Sequence, residues 1–149
     1  MKKMLKRRSG FTLVELLIVI IIIGILAGAM LLVAGSGGDS AEATKIISDL
    51  RSLKSAALLY YADHPINPQM PNTTDLQKYM DRVLGASYDI TGTNGTSPYF
   101  DNWWISSTTN KSTGVQQKLE DRATEVGLYG SANSSDIYSS GNDVFIQAR

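Results

Sequence analysis

The chain changes pattern sharply at residue 11. Residues 11–34 form an apolar run of 24 positions that carries one charge, Glu15. At about 1.5 Å per residue, a helix of that length crosses a bilayer core of about 30 Å and satisfies its own backbone. Gly24 and Gly28 form a Gly-x-x-x-Gly pair, the spacing that lets helices approach closely in lipid, although glycine is also common in membrane helices. Gly35, Gly37 and Gly38 then predict a helix break or a soft joint, because glycine weakens a helix by about 1 kcal/mol relative to alanine.

Beyond the glycines the pattern is amphipathic. Asp39-Ser-Ala-Glu42 reads as a capping box that opens a helix over 40–62. Ile46, Ile47, Leu50, Leu53, Ala57, Leu58 and Tyr61 form its stripe, with Asp49, Arg51, Lys54 and Ser55 on other faces. Pro65 and Pro68 stop it. Thr74-x-x-Gln77 predicts a short helix over 74–84, with Leu76, Tyr79, Met80, Val83 and Leu84 inward and Gly85 as its cap. Residues 87–91 alternate as a strand, 92–98 read as a turn, and the aromatic stretch 99–106 suits a second strand. Thr113-x-x-Gln116 opens a further helix with the stripe Val115, Leu119, Ala123 and Val126, ended by Gly127. Residues 130–143 have loop composition, and Val144, Ile146 and Ala148 share one face of a closing strand.

These elements predict an α+β fold. A long N-terminal helix, half membrane-spanning and half amphipathic, packs on a small antiparallel sheet with two short helices. The divisions are a leader at 1–10, the apolar helix at 11–34, its amphipathic continuation at 35–62 and a head at 63–149. Trp103 and Trp104 are consecutive on a strand and point to opposite faces. One face serves the core, and the other is an interface or a second packed face.

Charge adds an orientation. Five of the 14 basic residues lie in the first eight positions, leaving nine basic against 14 acidic residues, net −5, from Phe11 on. Lysine and arginine just before a span place that end in the cytoplasm. The acidic remainder offers no nucleic-acid surface. There is no cysteine and a single histidine, which excludes disulfides, thiol nucleophiles and multi-histidine metal sites. His64 has no catalytic signature around it and suits a helix C-terminus instead. The run is too long for a secretory signal, whose apolar region is about 7–15 residues, and it contains a carboxylate. A carboxylate inside a span costs about 2.5–3.5 kcal/mol and marks a functional site.

The series Arg8-Ser-Gly10-Phe11-Thr-Leu-Val-Glu15, followed by an apolar helix, resembles the type IV pilin and pseudopilin superfamily. The resemblance covers residues 7–34 closely and the head only in architecture. It implies cleavage after Gly10 by a prepilin peptidase on the cytoplasmic face, and methylation of the new Phe11 amine. Gly10 leaves its backbone open to close approach. Glu15, four residues after Phe11, is expected to share a helix face with it. By resemblance, Glu15 pairs with the Phe11 amine of a neighbour and sets the register of a helical homopolymer. The implied partners are further copies of the chain, the peptidase, an inner-membrane assembly platform and, before assembly, the membrane. The filament would be an extracellular pilus or a periplasmic pseudopilus.

The reading is a structural subunit and not an enzyme, with no cofactor. Its alternative within the family is a major pseudopilin of a type II secretion or DNA-uptake system. A monomeric, membrane-anchored binding domain is the alternative of another class. Two family features are missing, a proline within the apolar helix and a C-terminal cysteine pair. Asp136, Asn142 and Asp143 are candidate calcium ligands, since some major pseudopilins bind calcium in a C-terminal loop, but no Asp-x-Asp-x-Asp spacing accompanies them.

Overall fold

A computed structural model of the chain describes residues 10–66, 68–85, 87–108 and 110–149, excepting the side chains at 32 and 34–36. The basic leader positions Lys2 to Arg8 lie outside the described residues. The chain divides into two compact units, one up to Gly37 and one from Gly38 to Arg149.

Helix α1 runs from Leu13 to Asp63, 51 residues, and is helical through 35–38. Of the readings open at the glycines, a break and a helix continuous with the span, the structure has the continuous helix, and the capping box at Asp39 is corrected. Extending an existing helix avoids a new nucleation cost, and that outweighs the glycine penalties. Asp39 has a different task. Its Oδ1 accepts a hydrogen bond from Ser112 Oγ at 2.8 Å.

In the second unit, α1 buries Ala43, Ile46, Ile47, Leu50, Leu53, Ala56 and Ala57. The predicted stripe is right in its centre and misplaced at Leu58, which is 46% exposed. Against this face lies an antiparallel sheet, order β1-β2-β3, made of Tyr88–Thr96, Tyr99–Ser107 and Val144–Gln147. Ile90 pairs with Ile105, and Ile105 with Ile146, so one apolar row crosses all three strands. Burying one face of a sheet on a helix is the simplest two-layer core.

Residues 92–96, predicted as turn, continue β1 instead. Their glycines are required by close neighbours. A Cβ on Gly92 would strike the Phe100 ring, and one on Gly95 the Tyr99 carbonyl. Helix α2 is only Thr73–Gln77, opened by a capping box of Asn72 and Asp75 in place of Thr74 and Gln77. It ends early because Gln77 turns back. Its Nε2 donates to the Arg82 carbonyl and its Oε1 accepts from the Leu84 amide. Val83 is consequently 85% exposed, and Gly85 lies beyond the helix, not at its cap. Helix α3, Thr113–Val126, buries Val115, Leu119 and Ala123 as predicted. Gly127 ends it at φ 74°, the left-handed region that favours glycine. Its N-cap is Ser112, one residue before the predicted Thr113.

Trp103 and Trp104 are both buried. Trp103 joins the main core beside Tyr60 and Tyr61. Trp104 packs edge-on to Tyr129 at 5.3 Å and donates to Thr93 Oγ1 at 3.2 Å. The second face of the sheet is a packed face.

Candidate functional site

The site begins where α1 begins. Thr12 precedes the first helical residue, Leu13. Its backbone N–H and its hydroxyl both donate to Glu15 Oε2, at 2.8 and 2.9 Å, while the Glu15 amide donates to Thr12 Oγ1 at 3.2 Å. This reciprocal arrangement is a capping box, with threonine at the N-cap and glutamate three residues on. Glu15 thus has a partner within its own chain, Thr12, which the sequence reading missed. The Thr-x-x-Glu spacing was the signal that could have found it.

The box has a consequence for chemistry. It fixes the helix start, so Gly10 and Phe11 lie ahead of the helix in non-helical backbone, and both are exposed. Phe11 is 89% exposed. A peptide bond there is not locked into a helical hydrogen-bond ladder, and a protease can take it in extended form. The expected sharing of a helix face by Phe11 and Glu15 is corrected for the uncleaved chain, because Phe11 lies outside α1.

From Leu13 to Leu31 the helix has mean hydropathy 2.9 and is long and apolar enough to cross a membrane. None of that stretch is buried. A Cβ on Gly24, Gly28, Gly37 or Gly38 would meet nothing within 4 Å. Gly35 lies within the same helix.

The head holds two polar constellations. Asp49, assigned to an outer face by the sequence pattern, is 2% exposed. Tyr88 donates its hydroxyl to Asp49 Oδ2 at 2.8 Å, and the Arg82 guanidinium donates to Oδ1. The Tyr88 phenol is pushed well above its ordinary range, by burial first and then by the hydrogen bond to Asp49, with Arg82 opposing. Carboxylate, phenol and guanidinium tie α1 to the start of β1 and to the segment before it.

The second constellation lies at the last loop. Asn142 Oδ1 accepts from the Lys111 amide at 3.1 Å, and its carbonyl accepts from Lys111 Nζ. Lys111 Nζ also donates to the Ser107 carbonyl at 3.2 Å. Lys111 is 4% exposed, and burial lowers the pKa of its ammonium, with Asp143 and Glu42 acting in the opposite sense. Asp136 is exposed, and its amide donates to Ser134 Oγ. Among the described residues, no three His, Cys, Asp or Glu side chains converge as metal ligands. His64 caps the end of α1 through contact of Nδ1 with the Tyr60 carbonyl at 2.8 Å, its ring stacked on Tyr60 at 4.2 Å.

An exposed apolar helix with a capped start thus follows an accessible Gly10–Phe11 bond and continues into the helix of an α+β head. Residues 5–31 match the family model described as the prokaryotic N-terminal methylation motif. The chain is 35% identical over 69 residues to the type II secretion system core protein G of Klebsiella pneumoniae, covering 46% of this chain and 47% of that protein. It is 35% identical over 75 residues to the protein of that name from Vibrio cholerae serotype O1, covering 50% and 48%. It is 37% identical over 68 residues to that of Aeromonas hydrophila, covering 46% of each. The chain thus spans about half the length of the relatives it matches. No solved structure gives a significant match. The motif and these relatives support the type IV pilin and pseudopilin superfamily as the one this chain is similar to.

Proposed function

We propose that the chain is the structural subunit of a type IV pilus-like filament, cleaved after Gly10 by a prepilin peptidase and polymerised through its N-terminal helix. One observation carries the reading. The helix Leu13–Leu31 exposes an apolar surface, with Glu15 as its one carboxylate, directly behind an exposed, non-helical Gly10–Phe11 bond. In the precursor Glu15 is held by Thr12. Cleavage creates an amine at Phe11. In a low-dielectric filament core, Glu15 then exchanges the neutral N–H and hydroxyl of Thr12 for the ammonium of a neighbouring subunit. Phe11 carries the methylation, and the basic leader holds the N-terminus in the cytoplasm until the cut. The membrane stores the subunit, and the assembly platform delivers it into a head-to-tail, non-closing helix of copies.

A second reading within the superfamily, a major pseudopilin of a type II secretion system, is favoured by the relatives described above, which carry that name. The site chemistry is common to both readings. Shearing of cells tests the class. Filaments built of this chain, with subunits beginning at Phe11, support the proposal. Recovery of the chain only as monomers in the membrane fraction overturns it in favour of a tethered binding domain.

A further inference from the structure

The last loop, residues 130–143, is where relatives of this architecture were expected to hold calcium, and the residues present do not fit that ion. Asn142, one of the three candidate ligands, has its carbonyl and its side-chain oxygen engaged by Lys111. We infer that the Lys111 ammonium is itself the cation of this loop, a tethered ion among carbonyl oxygens where a free divalent cation would otherwise bind.

The geometry supports a built cation site. Lys111 Nζ donates to the Ser107 carbonyl at the end of β2 and to the Asn142 carbonyl two residues before β3. Ser107 pairs with Val144, so the ammonium closes the open end of that ladder. An ammonium presents three donors and no acceptor, and backbone carbonyls are fitting partners for it. Burying such a charge is costly unless it is hydrogen-bonded and paired. Here Asp143 and Glu42 supply opposing charge.

Its neighbours are arranged to hold the backbone around it. Gln116 of α3 donates from Nε2 to the Lys111 carbonyl at 3.0 Å and accepts from the Gly141 amide at 2.9 Å. The buried Tyr138 donates to the Gly141 carbonyl at 2.7 Å. Gly141 sits at φ 106°, a conformation in which a side chain would be strained. The loop is therefore fixed at 138, 141 and 142, all by groups within the chain.

The test uses the full chain in detergent micelles, followed by thermal melting and by hydrogen exchange at residues 138–143. With the unaltered chain, a calcium chelator and millimolar calcium chloride are each expected to leave the melting temperature and the loop protection unchanged. Lys111→Met, which keeps the stem and removes the charge, is expected to speed exchange across 138–143 by about tenfold or more, the scale of one lost charged hydrogen bond. Lys111→Arg is expected to keep most of the protection. A fall in melting temperature on chelation of the unaltered chain, or a rise with calcium, overturns the inference without any variant. Protection of 138–143 at the unaltered level in Lys111→Met overturns it as well.

Discussion

One helix carries two stretches that differ in what they bury. In Leu13–Leu31 nothing is covered, and Ile18 through Ile23 stand about half exposed even though they are among the most apolar residues of the chain. From Ala43 to Ala57 the same helix presents less apolar residues, yet it covers its stripe almost completely with sheet and α3. The second stretch has found its partner within the chain. Among the described residues the first has none, and an all-round apolar surface suits a partner with no polar face. Amphipathicity marks the stretch that is covered within the chain, and its lack marks the one left exposed.

The largest expected effect breaks the first stretch at its one charge. Glu15→Ala should leave cleavage and membrane insertion intact while lowering the yield of sheared filaments by about tenfold or more, because a low-dielectric ion pair exceeds the 1.4 kcal/mol that corresponds to a factor of ten. Normal filament yield from that variant contradicts the pairing. Next comes a matched pair of truncations. Leu50→Ala, at a fully buried position, should cost the head about 2–5 kcal/mol in chemical denaturation of the full chain in micelles. Ile21→Ala, at a position 52% exposed, should leave that transition where it was. Equal losses would show that the two stretches are not energetically distinct.

These contrasts also divide what was legible in the sequence from what was not. The span, the α3 stripe with Gly127 and the alternating Val144, Ile146 and Ala148 were legible, because each rests on a local period or a single-residue backbone need. Continuity through 35–38 was one of two open readings, because glycine propensity is a local quantity and helix extension is cooperative. The strand at 92–96 was read as a turn, since its glycines are demanded by Phe100 and Tyr99 across the hairpin, not by their own backbone. Asp49 and Lys111 look like surface charges, and only the third dimension brings Arg82, Tyr88 and Asn142 to them. At the candidate site, Gly10, Phe11 and Glu15 were legible as a motif, whereas Thr12 was overlooked although its spacing to Glu15 was in plain view.

The smallest effect concerns the head's polar tie. The Tyr88 phenol is raised above its unfolded value of about 10, so the folded head holds that proton more tightly. The associated stability is fully present below pH about 10 and is lost as pH rises through the folded value. Tyr88→Phe should therefore cost about 1 kcal/mol at neutral pH, allowing for its half-exposed setting, and should flatten the alkaline fall in melting temperature. An alkaline profile identical to that of the unaltered chain would contradict the assignment.

The central claim is that the exposed helix becomes a filament helix only after the bond ahead of it is cut. Mass spectrometry of the N-terminus of the chain isolated from its cells tests this most directly. The predicted result is a chain beginning at a methylated Phe11, with residues 1–10 gone. An intact Met1, or a terminus after Ala29 that discards the apolar run, would contradict it.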